Sequence, residues 1–171
     1  MTPAPLPAGR RKSVLVDSNL LLLLFVGDID PLHVRKFKRT QKYSEDDYWT
    51  LHSLLAAFET VVTTPNILTE TSNLGGALQS DYRWQFFNRI AMAAKTMLEE
   101  YRKSMECAAL PMFGDFGLAD TAAFSVAGNR HMLLTDDSHL AQYAGAHGVD
   151  VIDFNYRNEW QKTDKPLTRS Q

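Results

Sequence analysis

Apolar and polar positions in this chain follow two alternating rhythms. Short apolar, β-branched runs occur at SVLVD (13–17), TVVTT (60–64), HMLLT (131–135) and VDVID (149–153), and these read as buried strands. Helical spacing fills the intervals. Ser44 with Asp47 forms a capping box ahead of Tyr48, Leu51, Leu55 and Phe58. Thr64-Pro65 supplies a cap and a first-turn proline ahead of Ile67. The longest helix is expected over about 81–103, where Trp84, Phe87, Ala91, Ala94, Leu98 and Tyr101 recur at steps of three and four. A second row, Phe86, Ile90, Ala93 and Met97, widens that face, so much of this helix is expected to be core. Strands alternating with helices predict an α/β fold, a three-layer α/β/α sandwich around a mainly parallel sheet. Ligands of such sheets collect outside the carboxyl ends of the strands, where strand order reverses.

Four acids interrupt this pattern at costly places. Asp17 separates Val14-Leu15-Val16 from the run Leu20 to Val26, and Glu70 falls on the expected apolar stripe of TTPNILTETSNL. Asp120 aligns with Ala123, Phe124 and Ala127, and Asp137 follows Met132-Leu133-Leu134 to open the next helix. A buried carboxylate needs a compensating cation, yet none of the four has Lys or Arg within four residues. One shared divalent metal explains the set. The competing reading is capping: Asp17, Asp120 and Asp137 all stand at or near helix starts, where acids are favoured. Capping does not account for Glu70, which is expected to face inward.

Composition narrows the field without deciding it. A chain of 171 residues with 44% hydrophobic and 22% charged residues suits one domain. The expected layout is a leader (1–12), a folded domain (13–155) and a polar tail (156–171). A net charge of −2 gives no general attraction to nucleic acid. Cys107 cannot form an internal disulfide and is expected to pack in the interior of a cytoplasmic protein. The basic Arg10-Arg11-Lys12 precedes an apolar stretch that Asp17-Ser18-Asn19 interrupts, so no membrane span is expected. Phosphate-cradling glycine motifs of nucleotide-binding enzymes are missing.

The succession VLVDSNLLLLLF, VTTPNILTETSNL, FGLADTAAFSVA and MLLTDDSHLAQYAGAHGVDVIDF resembles a PIN-domain nuclease over residues 13–155. The resemblance implies a Mg²⁺- or Mn²⁺-dependent ribonuclease, with VapC-type toxins among the relatives. It places the four acids of the family on Asp17, Glu70, Asp120 and Asp137, the last within Thr135-Asp136-Asp137. Hard cations take such oxygen ligands, and one or two ions can activate water and neutralise phosphate. Ser18, Asn19, Thr135 and Asp136 become candidates for orienting carboxylates or contacting phosphate, although Asp136 reads first as a solvated cap. Ser18 stands where family members often have Thr, and residues 27–58 lengthen the chain beyond the small toxins. RNA substrate, a cognate antitoxin and a homodimer are the partners implied.

The segment HVRKFKRTQK (33–42) carries Arg35, Lys36, Lys38, Arg39 and Lys42 without an acid. The first four are candidates for RNA contact, with Phe37 as a stacking surface, against the alternative of a solvated loop. The rival to an enzyme is a PIN-like scaffold that binds RNA or protein without cutting.

Overall fold

Strands rich in Val and Leu with no alternation need cover on both faces, and the two richest lie at the centre of the sheet. The structure is a computed structural model that describes residues 12–160. Its five strands are β1 (Ser13–Val16), β2 (Thr60–Thr63), β3 (Leu98–Glu99), β4 (Met132–Thr135) and β5 (Val151–Asp153). All pairings are parallel, in the order β3-β2-β1-β4-β5. Helices flank the sheet in an α/β/α sandwich, as the sequence pattern predicts. From β1 the chain builds outward through β2 and β3, then returns to the other side of β1 for β4 and β5. Strand order therefore reverses between β1 and β4, the place where such sheets bind ligands.

The helices are α1 (Ser18–Ile29), α2 (Glu45–Ala56), α3 (Pro65–Gly75), α4 (Ser80–Thr96), α5 (Ser104–Ala108), α6 (Phe113–Ala127), α7 (Ser138–Ala146) and α8 (Arg157–Trp160). Helix α1 is apolar all round and buried from Leu20 to Gly27, with α2, α3 and α4 packed against it. The α2 capping box forms as expected, and Thr64 caps α3 by accepting from the Ile67 amide at 3.1 Å. No helix among the described residues is long and apolar enough to cross a membrane.

Helix α4 departs from expectation in length and in burial. It ends at Thr96, and the residues beyond it form the edge strand β3. Only the row through Phe86 and Ala93, with Ile90 and Met97 partly covered, meets the core. The other row is open, with Trp84 at 69% exposure and Phe87 at 41%. Two apolar rows share this helix, and only one of them faces α1 and α3.

Residues 27–58 are folded into the domain. Asp30 caps a 3₁₀ turn at Pro31–His33, and the backbone then advances in further three-residue turns to Tyr43. That step eclipses side chains three apart. Val34, Phe37, Thr40 and Tyr43 are all buried, while Arg35, Lys36, Lys38, Arg39 and Lys42 are exposed. Phe37 is therefore a core anchor and offers no stacking surface. Where this region meets α1, a Cβ at Gly27 would lie 2.1 Å from the Tyr48 ring. Gly27→Ala should cost about 2–3 kcal/mol through overpacking, read as a lower urea midpoint at unchanged slope.

The domain also runs past residue 155. Residues 156–160 are not tail: the chain makes a 3₁₀ turn at Phe154–Tyr156 and then α8, where Arg157 forms a two-point ion pair with Asp47 of α2. The expected leader up to residue 11 and tail from 161 lie outside the described residues.

Candidate functional site

At the switch point, the backbone alone sets Asp17 beside the end of β4. The β1–β4 register continues one step, with the Asp17 amide donating to the Leu134 carbonyl at 3.0 Å. The buried Asp17 carboxylate caps α1 by accepting from the Leu20 amide at 3.0 Å. Its other oxygen accepts from the Thr135 hydroxyl and, at 3.1 Å, from the Asp136 amide. Burial foremost, and then the negative charge of Asp136, push its pKa up to about 7 despite these three donors.

Helix α3 follows β2 and brings Glu70 to the same edge, where Ser18 donates its hydroxyl to Glu70 Oε2 at 2.8 Å. Glu70 is exposed, contrary to the inward-facing position expected from its spacing. The buried stripe of α3 runs through Ile67, Leu68, Thr71 and Gly75. At 3.6 residues per turn, Glu70 stands roughly a third of a turn away from its centre. The acid sits at the rim of the stripe, beside an open groove of about 340 Å³ that Asn66, Thr69, Asn73, Leu118 and Ala119 help to line.

Helix α6 is broken at Gly117, whose φ of +74° is a conformation suited to glycine. Asp120 thus lies in the first turn of the second half of the helix. Its carboxylate is half-buried, and burial first, then Glu70, Asp137 and Asp136, raise its pKa to about 6. No hydrogen bond to this carboxylate occurs among the described residues. Asp137 is exposed and caps α7, accepting from the amides of His139 at 2.8 Å and Leu140 at 3.1 Å. Capping therefore holds for Asp17 and Asp137, and in both the cap fixes a carboxylate that faces the shared edge.

Asp136 overturns its expected role as a solvated cap. It is buried, and its Oδ2 accepts from the Lys42 ammonium and the Tyr43 hydroxyl. Asn19 donates to its Oδ1 at 3.4 Å. Burial, followed by the charge of Asp136, drives the Tyr43 pKa well up, so this phenol stays a proton donor. Of these two partners, Tyr43 lies outside the expected site, while Lys42 belongs to the basic segment 33–42 but not to its four expected RNA contacts. The signal for them is the three-residue spacing of Val34, Phe37, Thr40 and Tyr43, which turns the segment inward.

The structure thus brings Asp17, Glu70, Asp120, Asp136 and Asp137 to one edge, near enough that several repel one another. Two buried hydroxyls of elements reaching it, Thr63 at the end of β2 and Thr121 beside Asp120, have no partner among the described residues. Buried polar groups usually have a partner in protein or ordered water. The donors are all oxygen, as hard divalent cations require. Among the described residues, however, no three His, Cys, Asp or Glu side chains are arranged to hold a metal ion as they stand. Glu70 and Asp137 are turned to Ser18 and to the α7 amides instead. The charge and oxygen chemistry of the donor set suit a hard cation. Arg35, Lys36, Lys38 and Arg39 are exposed on the outer face of residues 31–43. No protein-family model matches the chain, and no curated protein matches it.

Proposed function

We propose that this protein is a Mg²⁺- or Mn²⁺-dependent endoribonuclease of the PIN type. The observation that carries the proposal is the gathering of Asp17, Glu70, Asp120 and Asp137 at the point where strand order reverses, with the half-buried Asp120 carboxylate lacking a hydrogen bond among the described residues. Asp17, Asp120 and Asp137 would hold one or two ions, with Glu70 binding directly or through water. The metal supplies an activated water, neutralisation of the phosphate and support for the leaving oxygen.

The chain's own residues prepare that site. Thr135 and the Leu20 and Asp136 amides fix the Asp17 carboxylate, Ser18 restrains Glu70, and the α7 amides orient Asp137. The exposed cations Arg35, Lys36, Lys38 and Arg39 offer phosphate contacts for RNA lying across the edge. A cytoplasmic location, a cognate antitoxin and a homodimeric state belong to the same proposal, as does the role of toxin in a type II toxin–antitoxin pair.

A non-catalytic PIN-like scaffold is the second reading, and the hydrogen-bonded state of Asp17, Glu70 and Asp137 favours it. Incubation of end-labelled RNA with and without Mg²⁺ separates the two. The nuclease gives internal cuts with 5′-phosphate and 3′-hydroxyl ends, only with metal, and Asp17→Asn gives none. Equal cutting by Asp17→Asn, from preparations free of host nucleases, would defeat the assignment.

A further inference from the structure

We infer that Lys42 is a phosphate-contacting residue of this site, held in place for that purpose by Asp136 and Tyr43. The inference rests on the nuclease reading for its substrate class, since the anion it commits to is the phosphodiester backbone of single-stranded RNA.

A comparison of two ion pairs makes the argument. Arg157 and Asp47 are both covered, with side chains 15% and 11% exposed, and they bind through two points. That is a structural clamp. In the Lys42–Asp136 pair the carboxylate is 3% exposed and the lysine 56%. The acid is locked, and the cation is presented to solvent. An ammonium has three donors, and Asp136 uses one of them. The Tyr43 ring lies 4.9 Å from Lys42 Nζ, a cation–π contact that restricts the lysine further.

The location gives this geometry its use. Asp136 sits between Thr135 and Asp137 at the end of β4, and its amide donates to Asp17. Lys42 is therefore anchored within the acid edge itself, unlike Arg35, Lys36, Lys38 and Arg39, which form no ion pair among the described residues. An edge this rich in carboxylates repels a phosphate, and a fixed ammonium beside them gives the polyanion a positive point of entry. The protein secures that cation over a long loop. Val34, Phe37, Thr40 and Tyr43 pin the three-residue turns, and Thr40 donates to the Val34 carbonyl at 2.7 Å. Asp136 is accordingly a positioning residue that acts through Lys42.

The test is fluorescence anisotropy of a fluorescein-labelled single-stranded RNA with the full chain in Ca²⁺, titrated over a range of salt. Lys42→Ala should weaken binding several-fold and reduce the slope of log affinity against log salt by about 0.7, the loss of one phosphate contact on a single strand. Lys42→Arg should restore both. Lys42→Gln keeps a donor for Asp136 without the charge, so it reads the same slope if Lys42→Ala fails to fold. A purely structural lysine would lower the melting temperature and leave the slope unchanged in every variant. That result overturns the inference, as does absence of RNA binding by the unsubstituted protein. Cutting assays in Mg²⁺ on the same proteins separate the two claims. Cutting with an unchanged slope sinks Lys42 alone, and a Lys42-dependent slope without cutting sinks the nuclease reading alone.

Discussion

Asp120→Asn should make the metal-free protein more stable at pH 8 while lowering RNA cleavage by at least about 100-fold. The two effects have opposite signs because they have different causes. In the free protein Asp120 is half-buried, lacks a hydrogen bond among the described residues and is repelled by Glu70, Asp137 and Asp136, so its charge costs stability at pH 8. Asparagine has the same shape and no charge. The upward shift to about 6 translates, after discounting for the exposed part of the carboxylate, into about 1–2 kcal/mol. For a chain of this size that is roughly 3–6 °C in melting temperature. Catalysis moves the other way, because an amide is a poor ligand for a hard cation, and even groups behind the ligands cost 10–100-fold when changed. Thermal melts in EDTA and cleavage of labelled RNA in Mg²⁺ read the two effects. A destabilised Asp120→Asn with unaltered cleavage would return Asp120 to a structural role.

The same tension explains why parts of this site could be read in the sequence and parts could not. Asp17 and Asp137 are legible because strand-end acids in apolar surroundings have few roles, and β1 and β4 fix where those strands end. Asp120 is legible through its helical alignment, although the break at Gly117 that creates its position in a first turn is not. Glu70 reaches the edge because α3 starts there, but it is not buried. Its spacing from Ile67 suggested burial, and the real stripe passes beside it. Asp136 fails for a different cause. Nothing near it in sequence hints at burial, because the groups that cover and pair it, Lys42 and Tyr43, come from a segment more than ninety residues away. Helix α4 is ambiguous by symmetry. With two apolar rows on one helix, periodicity establishes the helix but cannot choose the row that meets α1 and α3. Strand β3 gives no signal at all, being two exposed residues at the edge of the sheet. Core elements are readable from their own residues, and Ser18 and Thr135 from their place beside the acids, whereas the Lys42 and Tyr43 partners of Asp136 are not.

Stability of the metal-free protein should fall as pH rises from about 5.5 to 8, and Mn²⁺ should remove most of that fall. Asp17 is raised to about 7 and Asp120 to about 6 in the folded protein, from 3.8 for both when unfolded. Across this window the folded state binds more protons than the unfolded chain, so stability is present at low pH and lost as pH climbs through the folded values. Asp47 and Glu100, held low by Arg157 and by His131 with Arg130 in spite of burial, lose their contribution only at more acidic pH. His33, lowered chiefly by burial, acts in the opposite direction, since its penalty falls as pH rises. The diagnostic is therefore a comparison of proteins. The decline should amount to about 1–3 kcal/mol in the unsubstituted protein and be smaller in Asp120→Asn. Saturating Mn²⁺ binds the folded state and stabilises it by mass action. It should do so more at pH 8 than at pH 5.5, because protons compete for the same carboxylates. Urea midpoints at several pH values, with and without Mn²⁺, measure all of this without reference to catalysis. Parallel pH profiles for the two proteins, with no Mn²⁺ effect at pH 8, would mean that these carboxylates neither strain one another nor share an ion.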